Sequence, residues 1–208
     1  MKHWGERMKY IPIYVFIILS LLSACSQEKA EEADAVIEEA DLSSFEENLM
    51  NMMNNSAFVF DVEINNEDIE DLQLTVDYYE KSDFVDQVVD MSTMVASEEG
   101  PEGSIRAVFT QSNPVENEEQ WIAAVMTNSG YSSGESPNKN VKDRKEMSST
   151  WGGVNLPVDL KKGEKQVIGS MIYTNENTVS GTSNIETEEN LKEATDYEQV
   201  YILSIEAK

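Results

Sequence analysis

From Ala57 to the C-terminus the apolar residues of this chain recur at every second position, and that period restricts the fold to one built from strands. Phe58, Phe60, Val62 and Ile64 alternate with Val59, Asp61 and Glu63, so an extended chain here buries one face and wets the other. After a polar turn over 65–70 the pattern repeats in Leu72, Leu74, Val76 and Tyr78. It returns in Ile105, Ala107 and Phe109, in Trp121, Ala123 and Val125, in Val154, Leu156, Val158 and Leu160, and in 167–173. In 197–205 apolar residues fall on both sides, as in a strand covered on both faces at the centre of a sheet. The run 84–95 also fits helical spacing through Phe84, Val85, Val88 and Val89. Its β-branched residues, and the need of the preceding strand for an antiparallel partner, assign it to strand.

Turn chemistry separates these runs: Lys81-Ser82-Asp83, the Gly- and Glu-rich 97–103, Asn113-Pro114 and Lys161-Lys162-Gly163-Glu164. Pro157 places its run at a sheet edge. The polar stretch 128–149 reads as a long mobile loop, and 175–189 as another loop with a short helical turn over 188–194. About eight short strands between polar turns predict a mainly β fold, an antiparallel β-sandwich, over 41–208.

One helix precedes the strands. Leu42, Phe45, Leu49, Met52 and Met53 recur at three- and four-residue steps, an apolar stripe on a helix. Ser43 and Glu46 offer a capping box, and Asn54-Asn55 a helix end. Such a stripe is expected to pack into the core; the other reading of its methionines is a face that receives a partner.

The N-terminus carries a different signal. Lys2, Arg7 and Lys9 precede an almost wholly apolar run, 10–22, shorter than the about 20 residues that a membrane-spanning helix needs. A basic start, an apolar run and small residues describe a secretory signal peptide. Leu22-Ser23-Ala24-Cys25 resembles the lipobox of bacterial lipoproteins. That resemblance implies a signal peptide over 1–24, cleavage before Cys25, and a diacylglyceryl group on its thiol. It also implies a protein held by lipid (palmitate among the chains) on the extracytoplasmic face of the cell membrane. Residues 25–40, dominated by Glu, Ala and Asp, then read as an acidic, disordered tether. A second resemblance lies at Leu160 to Glu164 and Ile168 to Tyr173, which look like the late hairpin of immunoglobulin-like sandwiches in secreted Gram-positive lipoproteins.

Cys25 and His3 are the one cysteine and the one histidine of 208 residues, and His3 leaves with the signal peptide. Histidine-based catalysis, His/Cys zinc sites and disulfides therefore have no residues to work with in the mature chain. The chain holds 40 Asp+Glu against 15 Lys+Arg, a balance that repels nucleic acid. The acidic turn 65–71 lacks the EF-hand spacing and its glycine, so it reads as a solvated turn rather than a Ca²⁺ site. Carboxylates are so many that no catalytic pair stands out. No metal, cofactor or catalytic residue is assigned, and the chain is read as non-enzymatic.

Trp121 is expected in the core. Trp151, beside Gly152-Gly153, and Tyr131, within the long loop, are the candidate ligand-binding aromatics for a protein or glycan partner. The leading expectation is a lipid-anchored binding module. The alternatives are a carboxylate-dependent hydrolase of cell-wall polymers and an accessory subunit whose helix docks on a membrane complex.

Overall fold

The computed structural model describes residues 33–53, 56–95, 104–115, 118–128, 130–138, 144, 146–176, 179, 185 and 187–208. The expected signal peptide, Cys25 and the tether as far as Glu32 lie outside them. The described elements, in chain order, are β1 (Ala35–Glu39), α1 (Ser44–Met53), β2 (Ser56–Ile64), β3 (Asp71–Glu80), β4 (Asp83–Met94), β5 (Ser104–Val115), β6 (Glu118–Thr127), β7 (Gly130–Asn138), β8 (Ser148–Gly153), β9 (Val158–Leu160), β10 (Lys165–Thr174), α2 (Glu188–Ala194) and β11 (Gln199–Ala207). They make two antiparallel sheets, one of six strands in the order β7-β6-β5-β2-β1-β9 and one of five in the order β4-β3-β11-β10-β8.

The period-two residues meet between these sheets. Phe58, Phe60 and Val62 of β2, Ile105 and Phe109 of β5, and Trp121 and Val125 of β6 share one core with Leu72, Leu74 and Val76 of β3 and Tyr201, Leu203 and Ile205 of β11. Trp121 is fully buried, its ring 5.1 Å from that of Tyr201 across the two layers. Each such side chain contributes about 1.5–3 kcal/mol by leaving water, so the alternation read from the sequence is the main source of stability. On the far side of the five-stranded sheet, Ile172, Val200 and Ile202 pack with Ile185, Ala194 and Tyr197 around α2. That second cluster is why β11 is apolar on both sides, and β11 is indeed the central strand of its sheet.

The run 84–95 is strand β4, joined to β3 by a two-residue turn in which Lys81 (φ 52°) and Ser82 (φ 66°) both take left-handed backbone. Their amides donate to Tyr197 and Thr195 carbonyls, which offsets the steric cost of that conformation in non-glycine residues.

Three expectations are corrected. The tether does not extend to residue 40: Ala35–Glu39 forms β1, pairing with β2 and β9, and Ala35 and Ile37 are fully buried. The acidic residues around this short strand mask its two-residue period. The loop over 128–149 contains β7, whose Gly- and Ser-rich sequence has no apolar period because backbone pairing to β6 holds it. The run from Val154 to Leu160 is not one strand. Trp151 to Gly153 end β8 in one sheet, and the chain crosses to β9, an edge strand of the other.

Candidate functional site

Helix α1 stands on the outer face of the six-stranded sheet and fills little of the space beneath it. Its start is the capping box read from the sequence. Ser43 Oγ and N donate to Glu46 Oε2, and the Glu46 amide donates back to Ser43 Oγ at 3.4 Å. These bonds, ahead of its ion pair with Arg106, hold the Glu46 carboxyl below its ordinary pKa.

Arg106, projecting from β5, ties the helix to the sheet. Its guanidinium donates to Asp61 Oδ1 (2.8 Å) and Oδ2 (3.1 Å) on β2, to Glu46 Oε1 (2.8 Å) on the helix, and to the Asp41 carbonyl (3.3 Å). Asp61 leads the contacts that push the arginine's pKa further up. Without Arg106 the outer face offers the helix mainly the rim of a hollow.

That hollow, of about 280 Å³, is bounded by Leu42, Leu49 and Met50 on one side and by Val59, Val108 and Met126 on the other. The stripe expected to pack into the core does not do so. Phe45 is 75 % exposed, Leu49 45 % and Met52 82 %. Single exposed apolar residues are ordinary, but several on one helix above an apolar hollow form a patch of the kind that marks an interaction surface.

A second space, of about 530 Å³, opens on the other side of the helix, along the edge of β2. Leu42, Met50, Ala57 and Val59 border both spaces, so the two are neighbours that share these walls. Trp151 forms the far wall of the second. Its ring meets Phe58 edge-on at 5.5 Å and is still 59 % exposed. Gly169 of β10 makes room for Phe58: a Cβ there would lie 3.2 Å from its ring and 3.2 Å from the Gly152 carbonyl oxygen.

Of the two candidate aromatics, Trp151 therefore lines the groove directly. Tyr131 does not; it is 75 % exposed on edge strand β7 and sits opposite Met126 of β6, whose side chain lines the hollow. Directly opposed residues share a face, so Tyr131 extends the apolar ground beyond Met126. The two aromatics flank the α1 surface and do not form one pocket.

The sequence reading missed a buried polar knot between β6, β11 and the segment before β8. Glu119 is 1 % exposed. Arg144 reaches it bidentately, Nη1 to Oε1 at 3.0 Å and Nη2 to Oε2 at 3.1 Å, while its Nε donates to Gln199 Oε1 (2.6 Å) and its Nη2 to Tyr201 OH (2.7 Å). Tyr201 OH and Gln111 Nε2 also donate to Glu119, and the guanidinium lies 3.6 Å over the Tyr173 ring. Burial, with the nearby Glu119 charge, pushes the Tyr201 hydroxyl far above its ordinary pKa, and burial leads in raising Tyr173 to about 12. Burial is the largest single influence on Arg144 and opposes its charge, yet the bond to Glu119 together with the Glu119, Tyr201 and Tyr173 electrostatics outweighs it and the net shift is upward. One glutamate and one arginine in an acidic chain give no pattern; Gln120–Thr127 revealed a strand, and nothing revealed its partner 25 residues on.

The acidic turn after β2 is tied to the chain before β1 through Asn66. Asn66 donates to Asp34 Oδ1 and accepts from the Asp68 amide, and Asp34 Oδ2 accepts from the Lys162 amide, which leads in lowering the Asp34 pKa. Among the described residues no three His, Cys, Asp or Glu gather as a metal site. Likewise no helix among them is long and apolar enough to cross a membrane.

A protein-family model described as the YgaN domain matches residues 36–207, from within β1 to the end of β11. No curated protein and no solved structure matches the chain.

Proposed function

We propose that this chain, which belongs to the YgaN domain family, is a non-enzymatic binding module held by lipid on the extracytoplasmic face of a bacterial membrane. It engages a protein partner through α1 and the apolar ground on either side of it. The observation that carries the reading is the helix stripe: Phe45, Leu49 and Met52 are exposed on α1, and Leu49 also borders an apolar hollow. An apolar helix face of this kind is a recurring receptor or ligand element in protein recognition. The anchor rests on the residues at Leu22 to Cys25.

The hydrolase reading has no comparable support. Glu119, the most buried carboxylate among the described residues, gives both oxygens to Arg144, with Tyr201 and Gln111 also on it. As to fold, we read the two sheets as a β-sandwich. An immunoglobulin-like relationship has the two-layer arrangement in its favour, and the eleven strands among the described residues exceed the about seven to nine of such domains.

Two experiments test the function. Cys25→Ala should move the protein from the membrane to the soluble fraction and abolish lipid labelling; unchanged retention contradicts the anchor. A photo-cross-linking residue at position 45, in intact cells, should give one discrete adduct that the same residue at exposed position 67 does not give. Equal or absent adducts at both positions contradict docking through α1.

A further inference from the structure

We propose that the groove along β2 takes an extended, apolar peptide segment of the partner as an added strand, an inference that rests on the docking role given to α1 and names the class of segment bound. β2 is nine residues long, and β5 pairs with it from Ser56 to Glu63. On its other side β1 reaches only to the Glu39–Phe60 pair. Among the described residues, Ser56 to Val59 therefore have a strand neighbour on one side alone. The chain does not continue along that row, because by Asp41 it has crossed to the outer face, where the Asp41 carbonyl accepts from Arg106. About four residues of strand edge, roughly 13 Å, face the groove. An open edge of backbone N–H and C=O groups is a template for another extended chain.

Of the other sheet edges among the described residues, three are guarded. β7 lies against β4, with Met91 Cβ only 3.3 Å from the Cβ position of Gly134. β4 carries Asp83, Asp86 and Asp90, and β9 is three residues long and follows Pro157. β8, Ser-Ser-Thr-Trp-Gly-Gly, is uncharged, and it is the strand whose Trp151 and Gly153 wall the same groove. Two ungated edges thus border one space of about 530 Å³, within the roughly 300–1,000 Å³ of ligand sites.

The walls specify the occupant. Side chains of a strand alternate in direction. In this row one set meets Phe58, Phe60 and Trp151, and the other meets Leu42 and Met50 under the helix, so both sets should be apolar. Glu39 is the one charged lining residue, at the end where β1 stops. A segment antiparallel to β2 continues the line of β1 and brings its own N-terminal flank beside Glu39, which favours lysine or arginine there.

The test uses the full chain in detergent and a panel of lysine-flanked hexapeptides whose four central residues vary among valine, isoleucine, leucine and threonine. Amide hydrogen exchange at residues 56–59 should slow by about tenfold or more with the best peptide. The same peptide N-methylated on alternate amides should give no protection. Trp151→Ala, a change at a largely exposed side chain, should weaken binding by at least about tenfold. Unchanged exchange at 56–59 with every peptide overturns strand addition, as does equal protection by the N-methylated form. Loss of protection at 56–59 with an intact position-45 adduct in cells overturns strand addition alone. Protection without that adduct supports strand addition and overturns the α1 docking role alone.

Discussion

The Arg144 knot and the α1 surface put polar and apolar groups in opposite places. At the knot, a carboxylate and a guanidinium are taken out of water, and every oxygen of Glu119 is met by a donor. At α1, aromatic and methionine side chains remain in water while a hollow beside them stays unfilled. Removing one partner of a buried pair costs several kcal/mol, so the knot locks a segment that little else in its sequence would hold. The α1 surface is held by one arginine and contributes little to the core. The difference separates the part of the molecule that secures the fold from the part that is free to be used.

Breaking the knot should produce the largest effect. Glu119→Ala leaves Arg144 buried and unpaired, and urea unfolding should show a loss of about 3–5 kcal/mol. The double change Glu119→Leu with Arg144→Met removes both charges and should recover most of that loss. A double variant as unstable as the single one would show that the pair does more than neutralise itself. Next comes Gly169→Ala, whose Cβ meets the Gly152 carbonyl oxygen and the Phe58 ring. Overpacking should cost about 1–3 kcal/mol and also disturb the groove.

Arg106→Ala should cost about 1 kcal/mol overall, because its ion pairs are partly in water. Its effect should be local: hydrogen exchange should quicken over 44–53 and not in β6 or β11. A pH titration sharpens the contrast from the other sheet. Lys81, then the Thr174 hydroxyl and the Asn175 amide, hold the Glu198 carboxyl down at about 2 from an ordinary 4.5. A depressed carboxyl stabilises the fold fully above the unfolded value, and that share is lost as pH falls from about 4.5 toward 2. Glu198→Gln should lower stability at neutral pH by the share the carboxylate supplies and flatten the curve between about 4.5 and 2, so that variant and parent converge in acid. Met52→Ser, at a side chain 82 % exposed, should have the smallest effect on stability, within about 0.5 kcal/mol, while weakening the adduct formed from the cross-linking residue at position 45.

How much of this was legible follows the same division. The core strands announce themselves because one wet and one dry face enforce a two-residue period, as in Phe58 to Ile64 and Leu72 to Tyr78. Trp121 and the central strand β11 were readable for that reason, as was the capping box of Ser43 and Glu46, which is local. β7 was not, since Gly130 to Asn138 is held by backbone pairing, which leaves no side-chain pattern. The Glu119–Arg144 pair was not, because partners distant in sequence have no spacing. The stripe on α1 was seen, but periodicity states only that a helix has an apolar face. Whether the fold or a partner covers that face depends on where β1 ends and what Arg106 holds, and both are tertiary facts.

The central claim, that α1 is left open for a partner, is tested most directly by accessibility on living cells. The native chain has a single cysteine, Cys25, which is expected to carry lipid, so Phe45→Cys introduces a unique free thiol. Labelling by a membrane-impermeant maleimide should be much slower on intact cells than on the purified protein, while Glu67→Cys labels equally in both. Equal rates at position 45 in cells and in solution would contradict the account.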